Sequence, residues 1–597
     1  MRALLGVFSV LFVTFVAPGQ EMQQAQDRAA FLKARAVGEP EARVAALKAF
    51  VAEYPGTSLA KRAEASELET LLANFPDRTA EIHALAAIEV KAAPVGFERW
   101  SEEARLADAL ASAGPNGADL IDAAAWGKDA VGTLNEESYR RQMRLMEVRY
   151  KLPPLTPGQR HRDYLRTRAS FLAALANVAL RVKDPEGAGR ALAEAVKLDP
   201  LSSEVSSLQG QMALGRHDDT VALRDFERAE AEGDLKEPWR GEMVRLYEQV
   251  HRPAGGSGAK TGAVGAAESE SGVRGEISSR EGLSSEVDAL YAKLFPPQFA
   301  LPPRRLPAGG HTVLLELFTG AGCEPCVAPD LAVESLLGTY DRQDLVVLEF
   351  DEHIPRPDPL ANPDSGERAA MYHVGHTPAA FLDGEELPVG GASRADVENV
   401  VVGFADALEA RAAVVTGVKL GLAVKRGADS TIVVTSQVVP NGATPTGGVG
   451  LPERVVVHVA LVEDHVRYSG ENGIRFHRMV VRAAAPARTV EMRSPGGAEA
   501  SFNPTQIARD QVAYLREFEK HNDRFGEFRF RTTEIPIQAD HLAVVAWMED
   551  PGTHEVLQAT FAEVPRQRAP SRWHQGARRA NPCQRMALPS SSSAICV

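Results

Sequence analysis

A chain of 597 residues, 44% of them hydrophobic, carries enough apolar material for several packed cores. Its formal net charge of −14 argues against nucleic-acid binding and against anionic membrane surfaces, because no surplus of Lys and Arg exists to neutralise phosphates. Four cysteines in so long a chain do not make a disulfide framework. The chain opens Met1-Arg2-Ala3, runs through a nearly continuous apolar stretch from Leu4 to Val16, and reaches Ala17-Pro18-Gly19. A positive start, a short apolar run and small residues predict a secretory signal peptide over 1–19, hence a periplasmic or secreted protein. No other stretch approaches ~20 consecutive apolar residues, so no membrane contact is expected beyond that peptide.

Residues 22–250 are rich in Ala, Leu, Glu and Arg with apolar positions three and four apart, which predicts helices throughout. Ala188, Leu192 and Ala195 recur as Ala222, Phe226 and Ala229, each 34 residues on, and Pro200 stops the first set. That period, with small residues where helices meet, resembles the tetratricopeptide repeat. The segment from Ala46 to Ala60 resembles the same repeat type, whereas 94–165 is helical without a clear period. Stacked helix pairs leave a concave face suited to a partner or substrate polypeptide; the alternative is a spacer packed on the rest of the chain. Residues 252–283, Gly-, Ser- and Glu-rich, are expected to be a flexible linker.

The richest stretch follows. An apolar, β-prone run from Thr312 to Phe318 ends in Thr319-Gly320-Ala321-Gly322, then Cys323-Glu324-Pro325-Cys326, then a helical pattern from Asp330. Strand, turn, CxxC and helix together read as a redox motif, because unpaired N–H groups and the positive end of the helix favour a thiolate. Cys323 is expected to be the exposed nucleophile and Cys326 the resolving thiol. About fifty residues on comes His376-Thr377-Pro378, followed at once by a short apolar strand. With this second feature, residues 310–412 resemble the thioredoxin superfamily, in which a proline before the fourth strand is cis and lies against the disulfide. The resemblance implies that role for Pro378, and that the backbone of Thr377 faces the cysteines. The Cys-Glu-Pro-Cys tetrapeptide resembles that of reducing thioredoxins outside the cytoplasm, such as those serving cytochrome c maturation. Gly322 stands where thioredoxins usually have Trp. Glu316 roughly matches their buried acid, one residue further from Cys323 than usual, and would take the proton of Cys326 during resolution.

Glu324 opposes a very acidic thiol and Pro325 resembles reductants, so the expected activity is that of a reductase or isomerase of protein disulfides, recharged by an electron-donating thiol partner. No cofactor and no metal is expected. Two alternatives remain: His353, His373 and His376 joining the cysteines around a metal, or an inert disulfide in a non-catalytic interaction scaffold. His458, His465 and His477 read as surface or core residues. No Ser-His-Asp set, HExxH or phosphate-cradling loop appears.

From 414 to 564 the period changes to two, in runs such as Val418–Lys425, Val455–Val462 and Leu542–Met548, which predicts an all-β, sandwich-like C-terminal domain. Within it, Glu463 to His477 resembles a segment of multidomain exported thioredoxin-like proteins. Residues 565–597, Arg- and Ser-rich and carrying Cys583 and Cys596, are expected to be a disordered tail. The predicted fold class is therefore multidomain: an all-α repeat region, an α/β thioredoxin-like domain and an all-β domain.

Overall fold

The computed structural model describes residues 18–566, apart from 114–119, 151–153, 234, 252–280, 297–298, 303, 305, 307–310, 441–451, 493–495, 523 and 526–527. Nearly all of the expected signal peptide and linker, and the tail with Cys583 and Cys596, lie outside the described residues.

Among the described residues, twelve helices run from α1 (Pro18–Arg35) to α12 (Trp239–Val250). The 34-residue spacing has a structural counterpart in α8 (Pro157–Arg181), α9 (Pro185–Leu198), α10 (Ser203–Gly215) and α11 (Asp219–Glu232). Asp184 and Asp218, one period apart, cap α9 and α11 by accepting from the Gly187 and Val221 N–H groups at 2.8 and 3.1 Å. Just before each cap, Lys183 and His217 both adopt φ 60°, turning the chain sharply between helices. The repeated apolar residues, Ala188 through Ala229, are all buried. At Gly210 the helices approach so closely that a Cβ would stand 2.6 Å from the Phe226 ring. A further helix, α13 (281–294), starts inside the segment expected to be linker.

The rest of the chain is built on one mixed sheet of eight strands, in the order β13-β12-β7-β10-β2-β1-β3-β4. Its first half comprises β1 (Val313–Thr319), β2 (Leu345–Asp351), β3 (Ala379–Leu382) and β4 (Glu385–Leu387). β1 is parallel to β2 and antiparallel to β3, and Asp383-Gly384, both at positive φ, turn β3 into β4. α14 (Val327–Thr339) and α16 (Val397–Ala412) cover this half, packing Val333, Leu336, Val401 and Leu408 into its core. α15 (Pro363–Met371) begins at an Asn362 cap.

The change of period near 414 does not end the sheet. β5 (Val418–Arg426) and β6 (Ile432–Pro440) leave it, but β7 (Arg454–Glu463), β10 (Val480–Glu491), β12 (Leu542–Glu549) and β13 (Val556–Glu563) extend it. The join is β10 against β2, parallel, with Val480 paired to Glu349 and the Glu349 N–H donating to the Met479 carbonyl at 3.0 Å. It closes an edge that β2 would otherwise leave open. Alternation along the strands divides the two faces: Ala460, Val462, Val545 and Trp547 join the first core, whereas Val459, Leu461, Val544 and Ala546 pack against a second sheet, β11-β6-β5, whose β11 is Glu499–Phe502. The C-terminal part is also not all β. α17 (Pro504–Lys520) opens with Asn503 capping the Gln506 N–H at 3.1 Å and proline in the first turn, a start signal that the period-two reading passed over. Among the described residues no helix is long and apolar enough to cross a membrane.

Candidate functional site

Strand β1 delivers the chain into the turn Thr319–Gly322, and a single 3-10 turn, Glu324–Cys326, leads from it into α14. The Cys323 N–H donates to the Gly320 carbonyl at 2.9 Å and the Cys326 N–H to the Cys323 carbonyl at 3.0 Å. This curl brings the two Cα atoms to 5.3 Å, and Cys323 and Cys326 are joined as a disulfide. Thr377 and Pro378, just before β3, arrive against it. Their peptide bond is cis, and Thr377 Oγ1 lies 3.3 Å from Cys323 Sγ and 2.8 Å from the Ile354 carbonyl oxygen, to which it donates.

The expectation of an exposed Cys323 is not met: both cysteines have 0% exposure. Three segments enclose the turn. Ala392 donates its N–H to the Pro325 carbonyl at 2.9 Å and accepts from the Ala328 N–H at 3.2 Å. The stem of Arg356 lies over Gly322, close enough that a Cβ there would meet it at 3.5 Å. The third segment, Ser469–Ile474, comes from the C-terminal part of the chain. There the Asn472 N–H donates to the Ala321 carbonyl at 3.1 Å and its side-chain amide to the Gly320 carbonyl at 3.2 Å.

Beneath the turn lies a group of buried carboxyl groups. Asp358 accepts from the Ala321 and Leu360 N–H groups. Asp330, one helical turn beyond Cys326, accepts from the Thr319 hydroxyl at 2.6 Å, while its Oδ2 has no hydrogen-bond partner among the described residues. Glu349 Oε1 and both carboxyl oxygens of Asp351, on β2, are likewise unpartnered among them. Burial raises them all, reinforced by repulsion from neighbouring carboxyl groups at Asp330, Glu349 and Asp351 and opposed by backbone N–H groups at Asp358: Asp330 to about 8, Asp358 to about 6, and Glu349 and Asp351 well above the ordinary range. The sequence reading missed this group. Its available signal was a pair of acids, Glu349 and Asp351, in an otherwise apolar strand.

Glu316 is also fully buried on β1, but it belongs to another network. Arg368 donates to its two oxygens at 2.7 and 2.9 Å and the Tyr372 hydroxyl donates at 2.7 Å. Arg368 reaches on to Glu549 of β12 at 3.0 Å, tying the two halves of the sheet together. Of the histidines weighed for a metal, His353 is half-buried and stacked on Phe518, ring centroids 3.6 Å apart. Its Nδ1 accepts from the Asp358 N–H, and its Nε2 lies 3.1 Å from the Tyr514 hydroxyl. His373 and His376 are exposed. Among the described residues no group of three or more His, Cys, Asp or Glu side chains is arranged to hold a metal ion. Neither a protein-family model nor a curated protein matches the chain.

Proposed function

We propose that the chain is an exported thiol–disulfide oxidoreductase of the thioredoxin-like class, acting on protein disulfides in the reducing or isomerising direction. The observation that carries this reading is the Cys323–Cys326 disulfide at a strand-to-helix junction, with Thr377 from a distant segment in contact with the Cys323 sulfur. In the dithiol form, the Cys323 thiolate attacks one sulfur of a substrate disulfide and the other substrate sulfur leaves, taking a proton. Cys326, deprotonated, then attacks Cys323. The second substrate thiol is released and the Cys323–Cys326 disulfide forms. Two electrons have passed to the substrate, and an electron-donating thiol partner returns the pair to the dithiol. The helical region, whose capped helix pairs support a tetratricopeptide-like reading, would bind a partner or substrate polypeptide.

The second reading, an interaction scaffold with an inert disulfide, is favoured by the complete burial of Cys323. Reduction of insulin disulfides separates the two. Wild type is expected to outpace Cys323→Ser by at least about a hundredfold, and equal rates would hand the molecule to the scaffold reading. Covalent trapping with Cys326→Ser would then identify the substrate, since the mixed disulfide cannot resolve.

A further inference from the structure

A thiolate attacks along the disulfide axis and needs open approach to sulfur, which the structure denies. The segment most foreign to the redox turn is Ser469–Ile474, between β8 (Val466–Arg467) and β9 (Phe476–His477). It belongs to the stretch Glu463–His477, to which the sequence assigned no chemistry. Its fit is specific. At Gly470 a Cβ would stand 2.5 Å from the Ala321 carbonyl oxygen, so only glycine lets the backbone lie this close. Asn472 makes the two bonds to the turn already described, and Glu471 pairs with Arg356, the side chain that lies over Gly322.

The other side of the same segment is held by the helical region. At Gly473 a Cβ would stand 2.8 Å from the Glu232 carbonyl at the end of α11. Arg475 is buried, with Nε 2.5 Å from Asp288 of α13 and Nη1 3.8 Å from Glu230 of α11. Arg467 reaches the same Asp288 at 3.0 Å. Arg394, at the start of the α16 unit, donates to the Gly473 carbonyl at 3.0 Å. The six residues are thus clamped between the redox turn and the helices.

We propose that Ser469–Ile474 is a built-in cap on the Cys323–Cys326 pair, latched to the turn by Asn472 and Glu471 and anchored on the helical region through Arg475, and that it must lift before any protein thiol or disulfide reaches Cys323. This rests on the exchange reading of the same cysteines. The helical region thereby gains a second role, since whatever loosens α11 or α13 loosens the cap.

The test follows reduction of the disulfide in the oxidised full chain by dithiothreitol, quenched in acid and read by alkylation and mass. Wild type is expected to be slow compared with the denatured chain. Asn472→Ala and Glu471→Arg should each speed reduction by about five- to tenfold, and Arg475→Met similarly, each being the loss of one or two hydrogen bonds or an ion pair. Because a single variant can speed reduction merely by destabilising the fold, the pair Arg356→Glu with Glu471→Arg, which restores the attraction with the charges exchanged, should return the rate towards wild type. Wild-type reduction as fast as in the denatured chain, or variants no faster than wild type, would overturn the cap. The insulin assay keeps the two proposals apart. Faster disulfide opening with no insulin reduction by any form leaves the cap standing and removes the exchange reading. Insulin reduction by a wild type whose disulfide is unprotected does the reverse.

Discussion

Replacing Arg368 by Met tests how the sheet tolerates a charge in its core. Arg368 is 7% exposed, and its guanidinium makes two of the three hydrogen bonds to Glu316, a carboxylate with no exposure, and one to Glu549. Methionine fills much of the same volume but leaves Glu316 with the Tyr372 hydroxyl as its remaining described partner. Glu549 keeps His458 at 3.2 Å and is less affected. Stranding a buried carboxylate costs roughly 3–5 kcal/mol, a large share of the ~5–15 kcal/mol that holds a typical domain folded. Urea unfolding followed by circular dichroism should show that loss in Arg368→Met, with about half recovered in the double variant Arg368→Met with Glu316→Gln, where the stranded charge is gone. A loss below about 1 kcal/mol, or no recovery in the double variant, would refute the premise that the Arg368–Glu316 contact supports the core.

Two further outcomes follow. Burial raises the Asp330 carboxyl to about 8, so the folded chain keeps a proton that the unfolded chain releases near pH 4; the associated stability is present at low pH and is lost as pH rises towards 8. Asp330→Asn removes that slope, and its stability relative to wild type should improve by on the order of a few kcal/mol between pH 5 and pH 8 in denaturant titrations, parallel curves being the contrary result. Gly210→Val places atoms where the Phe226 ring already stands, 2.6 Å from the new Cβ, and should cost the helical region about 1–3 kcal/mol by thermal melting, against little effect from the same change at exposed, open Gly215.

What could be read from the chain alone was local. Ala188 and Ala222 are buried where helices meet, and the CxxC sits at the end of an apolar run, because each of these depends on neighbours within one or two turns. That Thr377 lies at the cysteines was inferred only through a family resemblance, and by its backbone rather than by the hydroxyl that meets Cys323 Sγ, while α17 was hidden inside a stretch judged by its strands.

The remaining features arise from surfaces that meet after the elements have formed. One backbone pair, Val480 with Glu349, merges two strand groups into a single sheet, and no residue pattern on either side announces it. Asp330, Asp351 and Asp358 converge from a helix, a strand and a loop, so their shared proton affinity exists only once those pieces are packed. Likewise Cys323 carries every local mark of an open thiol, yet a segment about 150 residues away covers its turn. Periodicity reports which side of an element is apolar; which other element will lie against it depends on shape and complementary bonding across the folded molecule.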